Sequence, residues 1–199
     1  MSENIIIGSG GFALEMKNLL DSNNLSINKY ISLSENKNLG LEYLGDDSVL
    51  DNLKLSDYNF YLCIGDNYLR KKYISKYPDL KFSSFVHNKS SIFNVLLNRG
   101  SIIYPNCTIF SSKIGEFSLI NSNVSFSHDV QVGNFCNINP GCNIGGNVSI
   151  GDNVFIGIGA TIRDNIKIGE NSIIGAHTNI TKDVKSDTLV YGNPGREIS

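Results

Sequence analysis

The chain has 199 residues, of which 41% are hydrophobic and 18% charged, and its 17 basic and 19 acidic residues give a formal net charge of -2. Such a length holds one large domain or two small ones. The charge balance lacks the basic excess that binds nucleic acid polymers, and no apolar run approaches the roughly 18 residues of a membrane-spanning helix. We therefore expect neither nucleic acid binding nor membrane insertion. Because the amino terminus lacks the order of a signal peptide, we expect a cytoplasmic protein.

The first predicted elements are a strand at residues 4–7 and a helix that begins after a glycine-rich segment. That segment reads Gly8-Ser9-Gly10-Gly11-Phe12-Ala13. It matches the G-x-G-x-x-G/A pattern between a strand and a helix, where backbone amides can approach a phosphate group. The same pattern also fits a tight strand-to-helix turn that binds nothing.

Strands and helices continue to alternate after this segment. Strands are predicted at residues 29–33, 59–64 and 81–86, with a helix at 68–77, which indicates a small parallel α/β domain over residues 1–87. The acidic residue that NAD-binding domains carry after the second strand is absent, since Ser32 and Ser34 occupy that region. The domain is also small for a dinucleotide fold, so a mononucleotide is the more natural ligand.

The second half carries a repeat of period six. Counting in sixes from Leu96 to Ile180, only Thr108 is not a large apolar residue. A longer period, three times as long, appears in Ile114-Gly115, Val132-Gly133, Ile150-Gly151 and Ile168-Gly169. Three hexapeptides therefore form one coil, which predicts a triangular parallel β-helix of about five coils within residues 88–199. The turn-rich tail after Val184 is expected to cap its carboxyl end.

Two features argue against metal or thiol chemistry. The four cysteines form no C-x-x-C pair, and Cys136 and Cys142 precede repeat positions that face the core. The two histidines of the coils, His128 and His177, are not separated by a whole number of coils and so fall on different faces. We expect no metal site.

His128 is the candidate for chemistry. Its equivalent one coil later is Gly146, which leaves space beside the imidazole. An ordinary histidine titrates near pH 6.5 and can remove a proton from an amine or hydroxyl at neutral pH. At a corner, the following Asp129 could orient the ring. Spacing alone is equally consistent with an exposed histidine that has no function.

Three segments carry a shared pattern: the glycine-rich segment, Ile64-Gly65-Asp66-Asn67 with Arg70, and Ser127-His128-Asp129-Val130 with Asn137-Ile138-Asn139-Pro140-Gly141. Together they resemble bacterial sugar O- and N-acyltransferases of the sialic acid O-acetyltransferase type. The family includes acetyltransferases that act on nucleotide-linked 4-amino sugars. The resemblance extends over nearly the whole chain and implies a small Rossmann-like domain followed by a left-handed β-helix.

The resemblance also implies roles for individual residues. His128 would be the general base and Asp129 its partner carboxylate, within a homotrimer whose acetyl-CoA lies between neighbouring β-helices. Residues implied to hold the nucleotide sugar are Gly8, Ser9, Gly10, Gly11, Gly65, Asn67 and Asn121. Residues implied to border acetyl-CoA are Asn137, Gly146, Ile158 and Ala176, with the Gly146 amide near the thioester.

The sequence departs from the family at three places. Asn137 stands where many members have a second histidine, and His177 replaces a glycine near the CoA end. The acidic residue after the second strand is missing as well. We expect an acetyl-CoA-dependent N-acetyltransferase that acts on a nucleotide-linked amino sugar for surface glycan synthesis. The alternatives are O-acetylation of sialic acid or another sugar, and a non-catalytic binding scaffold.

Overall fold

The computed structural model describes residues 3–198 and divides into two compact units between Ser83 and Ser84. The first unit contains one parallel sheet of four strands in the order β3-β2-β1-β4. Its elements are β1 (Glu3–Ile7), α1 (Gly11–Ser22), β2 (Lys29–Ile31), β3 (Glu42–Tyr43), β4 (Tyr58–Leu62) and α2 (Asn67–Lys76), with 3₁₀ turns at Lys37–Leu39, Asp47–Asn52 and Leu55–Asp57. The central strand β1 buries Ile5, Ile6 and Ile7, as expected of a parallel strand covered on both faces.

The predicted strand at residues 81–86 is wrong in its extent. Phe82 forms an isolated bridge with Phe60 in the first unit, whereas Phe85–Val86 pairs with Ile102–Ile103 in the second. The observed division therefore lies before the expected one, because Phe85 and His87 already follow the register of the β-helix. The His87 N–H donates to the Ile103 carbonyl at 2.9 Å.

The second unit is a triangular parallel β-helix with three faces, which confirms the predicted fold. The first face contains Leu96–Leu97, Lys113–Ile114, Gln131–Val132, Ser149–Ile150 and Lys167–Ile168. The second contains Phe85–Val86, Ile102–Ile103, Leu119–Ile120, Asn137–Ile138, Phe155–Ile156, Ile173–Ile174, Leu189–Tyr191 and the antiparallel Arg196–Ile198. The third contains Ser91–Phe93, Thr108–Phe110, Ser125–Phe126, Asn143–Ile144, Thr161–Ile162 and Asn179–Ile180. There are thus about six coils rather than five, since the solenoid begins at Phe85.

The core is a ladder of apolar side chains from the parallel strands, whereas the antiparallel strand Arg196–Ile198 is exposed. From Ile114 onward the ladder follows the predicted positions, and the neighbouring Cys136 and Cys142 are buried as expected. Before Ile114 the prediction is wrong by one position: Ile109 is fully buried, whereas Thr108 is exposed.

The cause is a change in corner length between the third and first faces. The core positions Ile109 and Ile114 are one position closer in sequence than the equivalent pair Phe126 and Val132. The strand pairing shows the same change, because the step from Thr108 to its partner Ser125 is one position shorter than the step from Ser125 to Asn143. A count in fixed steps of six cannot detect this slip.

This register predicts different stability effects for two adjacent substitutions. Ile109→Ala should lower the free energy of unfolding by about 2–5 kcal/mol, because it leaves a cavity in the core. Thr108→Ala should change it by no more than about 0.5 kcal/mol, because that side chain faces solvent. Denaturant unfolding of both variants checks the register, and equal losses would contradict it.

At the corners, glycines allow close approach between coils, whereas other residues adopt the left-handed backbone conformation. A Cβ built on Gly133 would lie 2.6 Å from the backbone of Gly151 in the next coil, so glycine is needed there for close approach. The positive φ angle falls on Phe135 (57°) and, one coil further, on Asn153 (58°). Asparagine tolerates this conformation better than most residues, which explains part of the asparagine excess.

Candidate active site

His128 and Asp129 lie at a corner between the third and first faces, which we call the site corner. Nδ1 of His128 is 2.9 Å from Oδ2 of Asp129, and both side chains are exposed. Asp129 has a φ of 60°, so the chain turns between the two residues and their side chains meet. In a regular strand adjacent side chains would point to opposite faces.

The hydrogen bond assigns the tautomer of the imidazole. An ionised carboxylate only accepts hydrogen bonds, so the neutral ring places its proton on Nδ1. The lone pair of His128 Nε2 therefore meets no hydrogen-bond donor among residues 3–198. This is the arrangement that a general base requires.

Gly146 lies beside this ring, as the spacing of one coil predicts. A Cβ built on Gly146 would lie 2.8 Å from Nε2 of His128. Any other residue at position 146 would therefore crowd the imidazole. The N–H of Gly146 has no hydrogen-bond partner within residues 3–198, whereas its carbonyl accepts from the Asn165 N–H at 2.8 Å. A lone pair and an unpaired backbone N–H thus lie close together.

The charge of Asp129 can be tested without disturbing the backbone. Asp129→Asn removes the carboxylate but keeps a residue that tolerates positive φ. The carboxamide can donate to Nδ1 and favour the wrong tautomer, so we expect kcat to fall about 10- to 100-fold with thermal stability unchanged. Steady-state kinetics and a melting curve measure both effects. A wild-type kcat would show that Asp129 does not orient the ring.

Two open cavities flank the site corner. One of about 730 Å³ is lined by Asp129, Lys113 and Ser111, next to the shorter corner of the preceding coil. The other, of about 440 Å³, lies on the third face and includes Gly145 and Asp164. Both sides of the corner can therefore receive a ligand.

The remaining predicted residues of the β-helix lie away from the site corner. Asn121 follows strand Leu119–Ile120, and Ile158 and Ala176 lie one coil apart at that same corner between the second and third faces. Ile158 and Ala176 are exposed, whereas Asn137 is buried on the second face. One side of the triangle separates these residues from His128.

The glycine-rich segment forms the loop after β1. Gly8 has a φ of 122°, and a Cβ there would lie 2.7 Å from the Cys63 carbonyl oxygen, so only glycine fits. Cβ atoms built on Gly10, Gly11 or Gly65 would meet no atom within 4 Å, which leaves open surface at the carboxyl ends of β1 and β4. Ligands of α/β sheets bind at this edge, where neighbouring strands continue in opposite directions.

Two residues support this edge through hydrogen bonds that the sequence did not predict. They are Arg70, which the sequence marks only as part of a segment, and Asn36. Arg70 is 1% exposed, and its Nη1 donates to the carbonyls of Ile64 at 2.8 Å and Gly65 at 3.1 Å. Asn36 donates from Nδ2 to the Ser9 carbonyl at 2.7 Å. Asn36 thus joins the segment after β2 to the glycine-rich loop, near the place where an acidic residue was expected. Asn67 begins α2, whose cap Asp66 accepts from the Leu69 N–H at 2.8 Å.

The other two histidines are in different environments. His87 is buried, and its pKa is lowered by desolvation and by the charge of Lys89. Its Nδ1 lies 3.1 Å from the Lys89 N–H, which indicates a structural role. His177 is exposed at the corner of Ala176, and a Cβ built on Gly159 would lie 2.6 Å from its ring.

Two kinds of feature are absent from the part of the chain that the structure describes. Within residues 3–198, no three His, Cys, Asp or Glu side chains are grouped so that they could hold a metal ion. None of the helices described is long and apolar enough to cross a membrane.

Comparisons with known proteins agree with this architecture. The family profile of the PglD N-terminal domain matches residues 4–77, and that of the bacterial transferase hexapeptide (six repeats) matches residues 147–182. A variant of perosamine N-acetyltransferase from Caulobacter crescentus, solved with CoA and GDP-perosamine, has a TM-score of 0.92 at 27% identity over 100% of this chain and 98% of that one. The acetyltransferase domain of PglB from Neisseria gonorrhoeae has a TM-score of 0.90 at 22% identity over 100% of both chains. No curated protein sequence matches the chain.

The hexapeptide coils and the profile that matches them make the chain similar to the hexapeptide-repeat transferases. The PglD-type domain and the likeness to perosamine N-acetyltransferase over its full length narrow this class. The chain is thus similar to the PglD-like sugar acetyltransferases with a left-handed β-helix, which agrees with the resemblance seen in the sequence.

Proposed function

We propose that this protein transfers an acetyl group from acetyl-CoA to the amino group of a nucleotide-linked 4-amino-4,6-dideoxy sugar, for the synthesis of a surface glycan. The observation that carries the proposal is the free Nε2 of His128 beside the unpaired N–H of Gly146. A relative at 27% identity is a perosamine N-acetyltransferase solved with CoA and GDP-perosamine, which supports the donor and the type of acceptor.

The proposed reaction is direct attack without a covalent enzyme intermediate. The sugar amine attacks the thioester carbonyl carbon while Nε2 of His128 takes the amine proton. The negative charge that forms on the carbonyl oxygen is stabilised by the N–H of Gly146. The C–S bond then breaks, and the CoA thiolate leaves and recovers the proton from the imidazolium. Asp129 holds the imidazolium through Nδ1.

The first unit is proposed to hold the nucleotide. Its open glycines at the loop after β1 and at Gly65 allow close approach of a diphosphate to backbone N–H groups. The acidic residue that would bind the ribose after β2 is absent. The loop after β2, which Asn36 joins to the glycine-rich loop, therefore recognises the nucleotide in another way. A basic cluster is not needed when backbone amides bind the phosphates.

A homotrimer would explain why the predicted residues lie at two corners. In one copy, His128 is at the site corner, whereas Asn121, Ile158 and Ala176 are at another. Packing the site corner of one copy against the other corner of its neighbour would bring the two sets together around acetyl-CoA. The exposed apolar side chains of Phe155 and Ile158 would then be covered.

A thiol-release assay tests the proposal. Purified protein with acetyl-CoA is offered a panel of nucleotide-linked 4-amino sugars and of sialic acids. We expect CoA release with at least one nucleotide amino sugar and an N-acetylated product by mass spectrometry. Release only with sialic acids would favour the alternative O-acetyltransferase. If calorimetry detects no CoA binding, the protein is a binding scaffold and the proposal is wrong.

A further inference from the structure

Two corners of the β-helix differ in whether a side chain of the next coil accepts a backbone N–H of the corner. Between the first and second faces, the Glu116 N–H donates to Oδ1 of Asn134 at 2.8 Å. The Asn134 N–H donates in turn to Oδ1 of Asp152 at 2.8 Å. In these two coils, the equivalent side chain of the next coil accepts the corner N–H. A polar side chain at the equivalent position of the site corner would accept a hydrogen bond from the Gly146 N–H in the same way.

Such a side chain is present. Asp164 stands one coil after Gly146 and directly before the left-handed Asn165, just as Asp152 directly precedes the left-handed Asn153. Its carboxylate would be an effective acceptor. However, Oδ2 of Asp164 accepts from Nδ2 of Asn165 at 2.6 Å, and no contact joins Asp164 to the Gly146 N–H in the described chain.

The direction of the asparagine amide differs between the two corners. At the other corner, Nδ2 of Asn153 donates to Asn171 of the next coil at 3.0 Å, which leaves Asp152 free to cap Asn134. The residue one coil after Asn165 is Asp183. Its Oδ1 already accepts from the Lys167 N–H at 2.8 Å. The Asn165 amide is therefore available to the carboxylate beside it.

Asn165 is also held from the preceding coil. Nδ2 of Asn147 lies 3.3 Å from Oδ1 of Asn165, a contact that points the Nδ2 group away from Asn147 and toward Asp164. The chain of contacts from Asn147 through Asn165 to Asp164 fixes the carboxylate. Within residues 3–198, none of these three side chains contacts the Gly146 N–H.

We propose that Asn165 is a positioning residue that keeps the Asp164 carboxylate off the Gly146 N–H, so that this donor stays open for the reacting carbonyl oxygen. The inference rests on the proposed function, in which that N–H stabilises the developing charge. A carboxylate bound there would occupy the donor and would repel the oxyanion.

The test uses Asn165→Gly, Asp164→Ala and the double variant. Glycine adopts the left-handed backbone of position 165 without strain, so only the amide is lost. We expect Asn165→Gly to lower kcat about tenfold or more, because the freed carboxylate takes the Gly146 N–H. The double variant should recover kcat to within about threefold of wild type. A wild-type kcat in Asn165→Gly, or a double variant as slow as that single variant, would overturn the inference.

Hydrogen exchange supplies a readout that does not depend on activity. In peptides that contain Gly146, its amide should exchange about tenfold or more slowly in Asn165→Gly than in wild type, and at the wild-type rate in the double variant. Unchanged exchange in Asn165→Gly would refute the inference even if the enzyme is active. Slowed exchange in a protein that transfers no acetyl group would support the positioning of Asp164 and refute the proposed function alone.

Discussion

Replacing His128 with alanine should lower kcat for acetyl transfer at least about 100-fold while leaving the fold and the assembly intact. In the proposed mechanism the imidazole accepts the amine proton, and general base catalysis contributes about 10²- to 10⁴-fold. The side chain is exposed, so its loss should leave thermal stability nearly unchanged. Steady-state kinetics with the best acceptor of the panel and a melting curve measure both quantities.

The chain offers a matched control for this variant. His177 is also an exposed corner histidine whose ring lies on a glycine, but at a different corner. Because His177 lies at the corner proposed to border acetyl-CoA, His177→Ala can change KM for acetyl-CoA, but it should keep kcat within about threefold of wild type, since the proposed proton transfer does not use that ring. If His128→Ala retained full acetyl transfer, His128 would not be the base and the proposed mechanism would fail.

Gly146→Ala should have the second large effect. The added Cβ would lie 2.8 Å from Nε2 of His128, so the ring must rotate away from the position where it can reach the amine. The backbone of Gly146 lies outside the left-handed region, so alanine brings no conformational strain of its own. We expect kcat to fall about 100-fold with little change in melting temperature, because the displaced imidazole can move into solvent.

A double variant separates this explanation from a general disturbance of the corner. If the methyl group acts by displacing the imidazole, Gly146→Ala should cost little further activity in a His128→Ala background. If the fold losses in kcat of the two single variants multiply in the double variant, the methyl group acts independently of His128, for example by blocking the Gly146 N–H.

Much of the β-helix and of the site corner follows from spacing. Because successive coils stack in register, the sequence alone places Gly146 beside His128, and the structure confirms that contact. The contact between Asp129 and His128 could be predicted only on the condition that the two residues lie at a corner, since it depends on the left-handed turn between them. That turn has no strict residue requirement, so periodicity alone could not decide it.

Other features depend on contacts that spacing does not encode. Arg70 is a residue type expected at the surface, yet it is buried because it supplies hydrogen bonds to the loop carbonyls after β4. The strand predicted at residues 81–86 is apolar enough for either unit, and only the pairing of Phe85 with Ile102 assigns its last residues to the β-helix. Thr108 breaks the six-residue pattern, which was the one visible sign of the slip in register.

The change in corner length coincides with the site corner, where His128 is proposed to act as the base. Coils before His128 are one position shorter than those after it, and His128 lies in the first corner that has the added residue. The phase shift in the repeat therefore falls at the corner where the exposed His128 and Asp129 side chains meet. A scan of this sequence for phase shifts, rather than for the best single period, would have located that corner from the amino-acid order alone.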